Sequence, residues 1–500
     1  MAGGRERLGP ALYLGGGLAL VGAAGYAFVA LTGHTLPPAD AAAAASVYLM
    51  VNIIGPGLFS ALEQETSRSV SAEIAAGRDP GRITRNAALL AAATLAGVVV
   101  LLLAVSPVLT GQALGGRWGL FAAVLLSVVT SAAVYVVRGL VGGRQRFTGY
   151  AATLGAEGVA RILPCVVLAV AGAADVVAYA IAFAAGSAFG ALAGLPWLRK
   201  PVARQPSAAN ATAVPDGAYA AAASSAGGQA APDVRATADA AEARDAAAAI
   251  PDMPTAPAAP TAAGAQGAEA TAPTVGRMAR SLSLLAGGTL LMLLVANLAP
   301  IVVTPRLAGD AATAAAFASA FVLARVPLFL FAPVQAVLLP ALTRAATRGE
   351  LDRVRAMLRR ILLAVAAVGI PGVVASFLVG PWAVQVLFGA DVRLPATVVG
   401  LLGVSTVGLM VGQVLQPGLV ALGRHHVVTV AWLAGAVVLV TVLALPGGAL
   451  RAGVTGQLGS AAVVVLVMLA ALYRDLGLRR NPRSAGAEIR GGSDESVIGQ

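Results

Sequence analysis

Little in this 500-residue chain resembles the raw material of an active site. It has one cysteine, Cys165, and three histidines, His34, His425 and His426. A single cysteine excludes an intrachain disulfide and a cysteine-based metal site, and Cys165, inside an apolar run, reads as packing. None of the histidines belongs to a metal motif such as HExxH, and neither a phosphate-cradling glycine loop nor a nucleophile elbow is present. These absences point away from an enzyme and predict neither cofactor nor metal. A nucleotide-driven pump would need a separate ATPase subunit. Charge is scarce too, at 11% of residues. The net charge of +11 comes from arginines lying between apolar runs, which speaks for membrane topology and against a nucleic-acid partner.

What fills the chain is apolar sequence. Hydrophobic residues make up 58% and the mean hydropathy is +0.83, more than a soluble core of this length requires. Runs of about twenty residues match a hydrocarbon layer about 30 Å thick. Twelve spans are predicted. Those of the first half cover about 9–32, 43–63, 86–109, 118–138, 150–171 and 175–197. Those of the second cover about 281–305, 313–339, 361–383, 395–417, 427–446 and 454–473. The first resembles a signal peptide, with Arg5 and Arg7 ahead of an apolar run and small residues over 23–27. Its hydrophobicity continues through Phe28, Val29 and Leu31, however, and Tyr26 and Phe28 spoil the cleavage pattern, so a retained helix is expected.

The arginines orient these spans. Taking alternate loops from the N-terminus as one side, that side carries 28 of the 34 Lys and Arg residues, Arg138 among them, and the other side only Arg117, Arg306, Arg393 and Arg451. Such a bias puts both termini in the cytoplasm. The run 353–360 reads as an interfacial helix on anionic lipid. Between the halves, residues 201–276 hold nine prolines and no Leu, Phe or Trp, too little apolar surface to offset ordering entropy. The expected organisation is a six-helix half over 1–200, a disordered cytoplasmic linker over 201–276, a second six-helix half over 277–478 and a tail over 479–500. The linker far exceeds the reach needed to join its ends, so halving it is expected to leave function intact.

The halves look like copies. Residues 138–146 (RGLVGGRQR) align with 417–426 (PGLVALGRHH) at an offset of 279 to 280, and 65–68 (ETSR) with 341–344 (ALTR) at an offset of 276. With each half starting inside, the copies are parallel about an axis along the membrane normal. The fold class expected is therefore all-α and polytopic, in two pseudo-symmetric six-helix halves.

The segments 62–68 (LEQETSR), 333–344 (PVQAVLLPALTR) and 416–424 (QPGLVALGR) resemble those of the multidrug/oligosaccharidyl-lipid/polysaccharide exporter superfamily, in particular its bacterial lipid-linked oligosaccharide flippases. Major-facilitator carriers share the layout, but their Gly-Asp-Arg loop after the second span is absent. The resemblance implies a flippase for a lipid-linked glycan in the plasma membrane, beside glycosyltransferases or a polymerase of the same pathway. It also implies that the first, second, seventh and eighth spans line a central cavity. The alternatives are a cation-coupled multidrug exporter and a non-transporting scaffold for glycan assembly.

Ionisable groups inside the membrane are costly and so mark candidates. Arg325, midway along the eighth span, suits a diphosphate, against a structural role on carbonyls freed near Pro327. Asn52 and Asn297 suit sugar hydroxyls, against helix–helix bonding. Glu157 and Arg161, four residues apart, read as a self-neutralising pair or a coupling element. Glu63 and Glu65 are gate candidates, with Glu65 and Arg68 set for a solvated ion pair.

Overall fold

The computed structural model describes residues 5–199, 275–307 and 309–477, and every regular element among them is helical. The predicted linker, apart from its last two residues, and the tail over 479–500 lie outside the described residues. Among the described residues twelve helices are long and apolar enough to cross a membrane, and each overlaps one of the twelve predicted spans. The chain is an all-α polytopic membrane protein.

The first half comprises α1 (Arg5–Thr35), α2 (Pro38–Ala75), α3 (Gly81–Val108), α4 (Trp118–Gly143), α5 (Phe147–Val170) and α6 (Val176–Arg199). A π-helical turn, Leu109–Ala113, extends α3 directly after Pro107. The second half comprises α7 (Val275–Arg306), α8 (Ala311–Ala324), α9 (Val326–Thr347), α10 (Leu351–Leu378), α11 (Gly380–Phe388), α12 (Ala396–Ala421), α13 (His425–Ala444) and α14 (Ala449–Gly477). The described chain divides by compactness into a large unit (within residues 5–71, 81–199, 275–307 and 309–477) and a smaller one containing Ala72–Pro80. That short piece ends α2 and turns at Gly77, where Glu73 and Arg78 form an ion pair of 2.8 Å.

Within the large unit the two halves pack alike. In the first, α5 lies against α6 and α1, and α4 against α6; in the second, α13 lies against α14 and α7, and α12 against α14. These are the same three pairings, six spans apart. The helix ends repeat as well. After α4 the Arg146 amide donates to the Val141 carbonyl and the Gln145 amide to that of Gly142. After α12 the Arg424 amide donates to Leu419 and that of Gly423 to Val420. Both are Schellman turns around a left-handed residue, Gln145 (φ +55°) or Gly423 (φ +76°). This register corrects the sequence alignment, because the equivalent turn residues are 278 apart and pair Arg146, not Arg144, with Arg424. The turns after α2 and α9 likewise pair Gly77 (φ +70°) with Gly349 (φ +74°), at 272 in place of 276. Turn geometry outranks the short residue matches because only the backbone bonds define where a helix stops.

Two further expectations change. Residues 353–360 form no separate interfacial helix; they are the first turns of α10, where Arg353 pairs with Glu350, and Arg355 pairs with Asp352 and donates to the Leu476 carbonyl at 2.8 Å. The eighth span is not one helix. It breaks at Arg325, which caps the end of α8 and the start of α9. Pro327, in the first turn of α9, supplies the reason: it lacks an amide hydrogen and its ring clashes with the carbonyl four residues back.

Small residues let the helices approach. Gly186, Gly190 and Gly194 line one face of α6, and added Cβ atoms there would collide with Arg161, Thr153 and Val137 respectively. Between the halves, α1 meets α8, α9 and α11. Gly33 lies so near the Phe388–Gly389 turn that a Cβ on Gly389 would come within 2.8 Å of the Gly33 carbonyl oxygen.

Candidate functional site

Between the halves lies a cavity of about 250 Å³. From α2 it is lined by Tyr48, Asn52 and Pro56, from α7 by Leu293 and Asn297, from the α8–α9 break by Arg325, and from α12 by Gln413. Thus the three substrate candidates, on three elements and up to 273 positions apart in the chain, come to one chamber. The Asn52 side chain donates to the Tyr48 carbonyl at 2.8 Å and that of Asn297 to Leu293 at 3.0 Å. Each amide nitrogen is held to its own helix, which leaves the Oδ1 atoms outside those bonds.

Arg325 is the only charged residue among those lining the chamber, and it is 5% exposed. Its Nη1 donates to the Thr406 hydroxyl at 3.2 Å, and its Cζ lies 4.4 Å from the centre of the Phe321 ring. Nε and Nη2 have no hydrogen-bond partner among the described residues. The guanidinium reaches across to Thr406 on α12, whereas the alternative, structural reading placed it on carbonyls near Pro327. A buried cation with no acid among the residues lining its chamber is costly.

Behind the break lies a second cavity of about 270 Å³, apolar but for Ser376 and Thr406, between α8–α9 and helices α10, α11 and α12. Thr406 therefore borders the second cavity while holding the arginine that faces the first.

The four gating or coupling candidates lie elsewhere, none of them lining the central cavity. Glu157 does meet Arg161, at 2.6 Å, but it also pairs with Arg138, and Ser187 donates to it at 2.8 Å. Arg138 donates in addition to Thr153 at 3.0 Å, and Arg161 to Ser187 at 2.9 Å. Arg138 is thus no loop residue, as the charge count supposed; it is 5% exposed on α4. The pair does not neutralise itself either, since two guanidinium groups share one carboxylate. Glu63 accepts from the Tyr150 hydroxyl. Glu65 pairs with Arg68 at 2.7 Å, but its side chain is only 2% exposed against 69% for Arg68, so this ion pair is half-buried, not solvated.

Thr406, Phe321, Tyr48 and Gln413 were not foreseen. Their residue types are common in apolar helices, and no spacing links Thr406 to Arg325, 81 positions earlier. Among the described residues no cluster of His, Cys, Asp or Glu has the makings of a metal site.

No family model and no curated protein sequence matches the chain. Solved structures do. An inward-facing multidrug resistance MATE family transporter of the MOP superfamily aligns over 93% of this chain and 96% of its own, at 14% identity and a TM-score of 0.62. The lipid II flippase MurJ, inward closed, aligns over 91% and 86% at 10% identity and a TM-score of 0.56. The eukaryotic MATE transporter AtDTX14 aligns over 97% and 98% at 12% identity and a TM-score of 0.56. The chain therefore has the fold of the MOP-superfamily exporters.

Proposed function

We propose that this protein is an exporter of the flippase type. It moves a lipid-linked oligosaccharide or polysaccharide precursor across the plasma membrane from the arginine-rich, cytoplasmic side, by alternating access between its two halves. The observation that supports the reading best is Arg325, a buried cation in a chamber with no acid among its lining residues. Such a site attracts an anion, and the diphosphate of a lipid-linked glycan is one. Asn52, Asn297 and Gln413 add amide groups suited to hydroxyls, and the apolar cavity beyond Thr406 offers room for hydrocarbon. The pathway's glycosyltransferases or polymerase are the partners this reading implies. The test is export of surface polysaccharide by Arg325→Ala at matched expression in a host lacking the native gene. Loss is expected; full export would overturn the reading.

The second reading, a cation-coupled multidrug exporter, has the MATE transporters among the solved structures in its favour. It demands attraction of a cation into a chamber whose one charged lining residue is itself a cation. Robust efflux of cationic drugs from a sensitised host would reverse the ranking. A non-transporting scaffold would instead lose function when residues 201–276 and 479–500 are deleted and keep it when the chamber is altered.

A further inference from the structure

We propose that two glycine contacts between the halves are the gates of the central chamber: Gly33 against Phe388 and Gly389 on the arginine-poor side, and Gly57 against Leu290 on the arginine-rich side. The inference rests on the reading that the halves alternate, and adds which contacts must part and how firmly each closes. The chamber wall on α2 ends at Pro56, and Gly57 is the next residue toward the arginine-rich side. On α7 the wall begins at Leu293, and Leu290 lies three residues nearer that same side. Gly33 sits near the end of α1, and Phe388 and Gly389 finish α11, both at the opposite membrane face. Helices α1 and α2 belong to the first half, α7 and α11 to the second, so each contact joins the halves.

The two contacts differ in stiffness. A Cβ on Gly33 would run into the Phe388 carbonyl oxygen, and one on Gly389 would come within 2.8 Å of the Gly33 carbonyl oxygen and 3.0 Å of the His34 Cα. These are backbone atoms held at helix ends, and Gly389 is itself left-handed (φ +64°), a conformation that favours glycine. The arginine-poor side therefore shuts backbone on backbone and admits no side chain. A Cβ on Gly57 would instead come within 3.0 Å of the Leu290 Cδ1 and 3.4 Å of its Cα. The nearer atom is the tip of a flexible side chain, which a rotamer change moves aside. That contact tolerates a methyl group and yields only to something larger. Packed interfaces are bistable, not continuously deformable. A side chain wedged into one closure thus moves the population toward the state in which that closure is open.

The experiment uses the full-length protein in sealed membrane vesicles of both orientations. Cys165→Ala removes the one native cysteine, which is fully buried, and Ala296→Cys places a reporter in the chamber wall. The readout is the ratio of labelling by a membrane-impermeant maleimide from the two sides, with the melting temperature as the check on folding. Gly33→Ala is expected to shift that ratio about tenfold or more toward the arginine-poor side. It also raises helix propensity, so α1 itself is not weakened. Gly389→Ala approaches the same contact from the second half and should shift the ratio the same way. Gly57→Leu should shift it the opposite way, while Gly57→Ala stays within about twofold. Gly16→Ala, on α1 with nothing near its Cβ, should leave it unchanged. Gly33→Ala and Gly389→Ala both within about twofold of the starting ratio overturn the arginine-poor gate. A shift by Gly16→Ala equal to that of Gly33→Ala overturns the contact as its cause, and Gly57→Leu without an opposite shift overturns the arginine-rich gate. Labelling from one side only in every variant overturns alternating access itself, and the gates with it. Labelling from both sides that no glycine variant moves leaves alternation standing and overturns the gates alone.

Discussion

The molecule buries arginines in both halves and treats them in opposite ways. In the first half Arg138 and Arg161 close around Glu157, Arg138 donating also to Thr153 and Arg161 to Ser187, while the Arg161 Nε has no partner among the described residues. In the second, Arg325 has one hydroxyl and one aromatic face, and its buried Nε and Nη2 have no partner and no carboxylate among the described residues. A buried charge is tolerated either because the protein supplies its counter-charge or because a ligand will. The first half supplies a carboxylate to its buried arginines; the second supplies none to Arg325 among the described residues.

Breaking the first cluster should have the largest effect on folding. Glu157→Gln strands two guanidinium groups without their carboxylate and is expected to cost about 3–5 kcal/mol, seen as a steep drop in melting temperature or in folded yield. Replacing Glu157, Arg138 and Arg161 together by methionine should recover much of that loss. An unchanged melting curve for Glu157→Gln would erase the distinction between the two sites. Arg325→Leu should behave in the opposite sense: removing an uncompensated buried charge leaves stability equal or higher, while export falls at least about tenfold if Arg325 binds the transported anion.

Next in size is the packing that holds the first cluster. A Cβ at Gly190 would come within 2.9 Å of the Thr153 carbonyl oxygen and 3.1 Å of the Glu157 side chain. Gly190→Ala is therefore expected to destabilise by about 1–3 kcal/mol with little change in Kd for diphosphate. A loss of anion binding without destabilisation would show that the two regions are coupled.

The smallest effect belongs to the loop before α8. Asp310 caps that helix by accepting from the Thr313 amide at 3.0 Å, and its bonds to Thr313 hold its carboxyl below the ordinary value of 3.8. A carboxyl depressed by folding stabilises above its unfolded value, and that contribution is lost as pH falls through its folded one. Asp310→Ala should thus lower the melting temperature slightly near neutral pH, and the difference should close on acidification below the ordinary aspartate range. A difference that persists in acid would mean the cap acts by shape, not charge.

Much of the architecture was legible from periodicity and charge. Twelve apolar runs of bilayer length leave no other fold for a backbone that must satisfy its own hydrogen bonds, and the duplicated exits of the spans marked the halves. Arg325, Asn52 and Asn297 were legible as polar residues in apolar runs. What escaped was anything depending on a neighbour from another helix. Arg138 looked like a loop arginine because its partner, Glu157, is 19 positions away on α5. Glu65 looked solvated because its neighbour Arg68 is. The break at Arg325 was missed because several other prolines here, Pro56, Pro164 and Pro371 among them, lie inside continuous helices. Only the local packing determines whether a proline interrupts.

By itself, then, the sequence determined that the chain crosses a membrane about twelve times in two related halves, since hydrophobic length and arginine bias act locally, one segment at a time. The tertiary structure decided which charges are spent internally and which remain available. That division depends on distances between helices far apart in the chain, and it separates Arg138, matched by a carboxylate on α5, from Arg325, matched by none among the described residues.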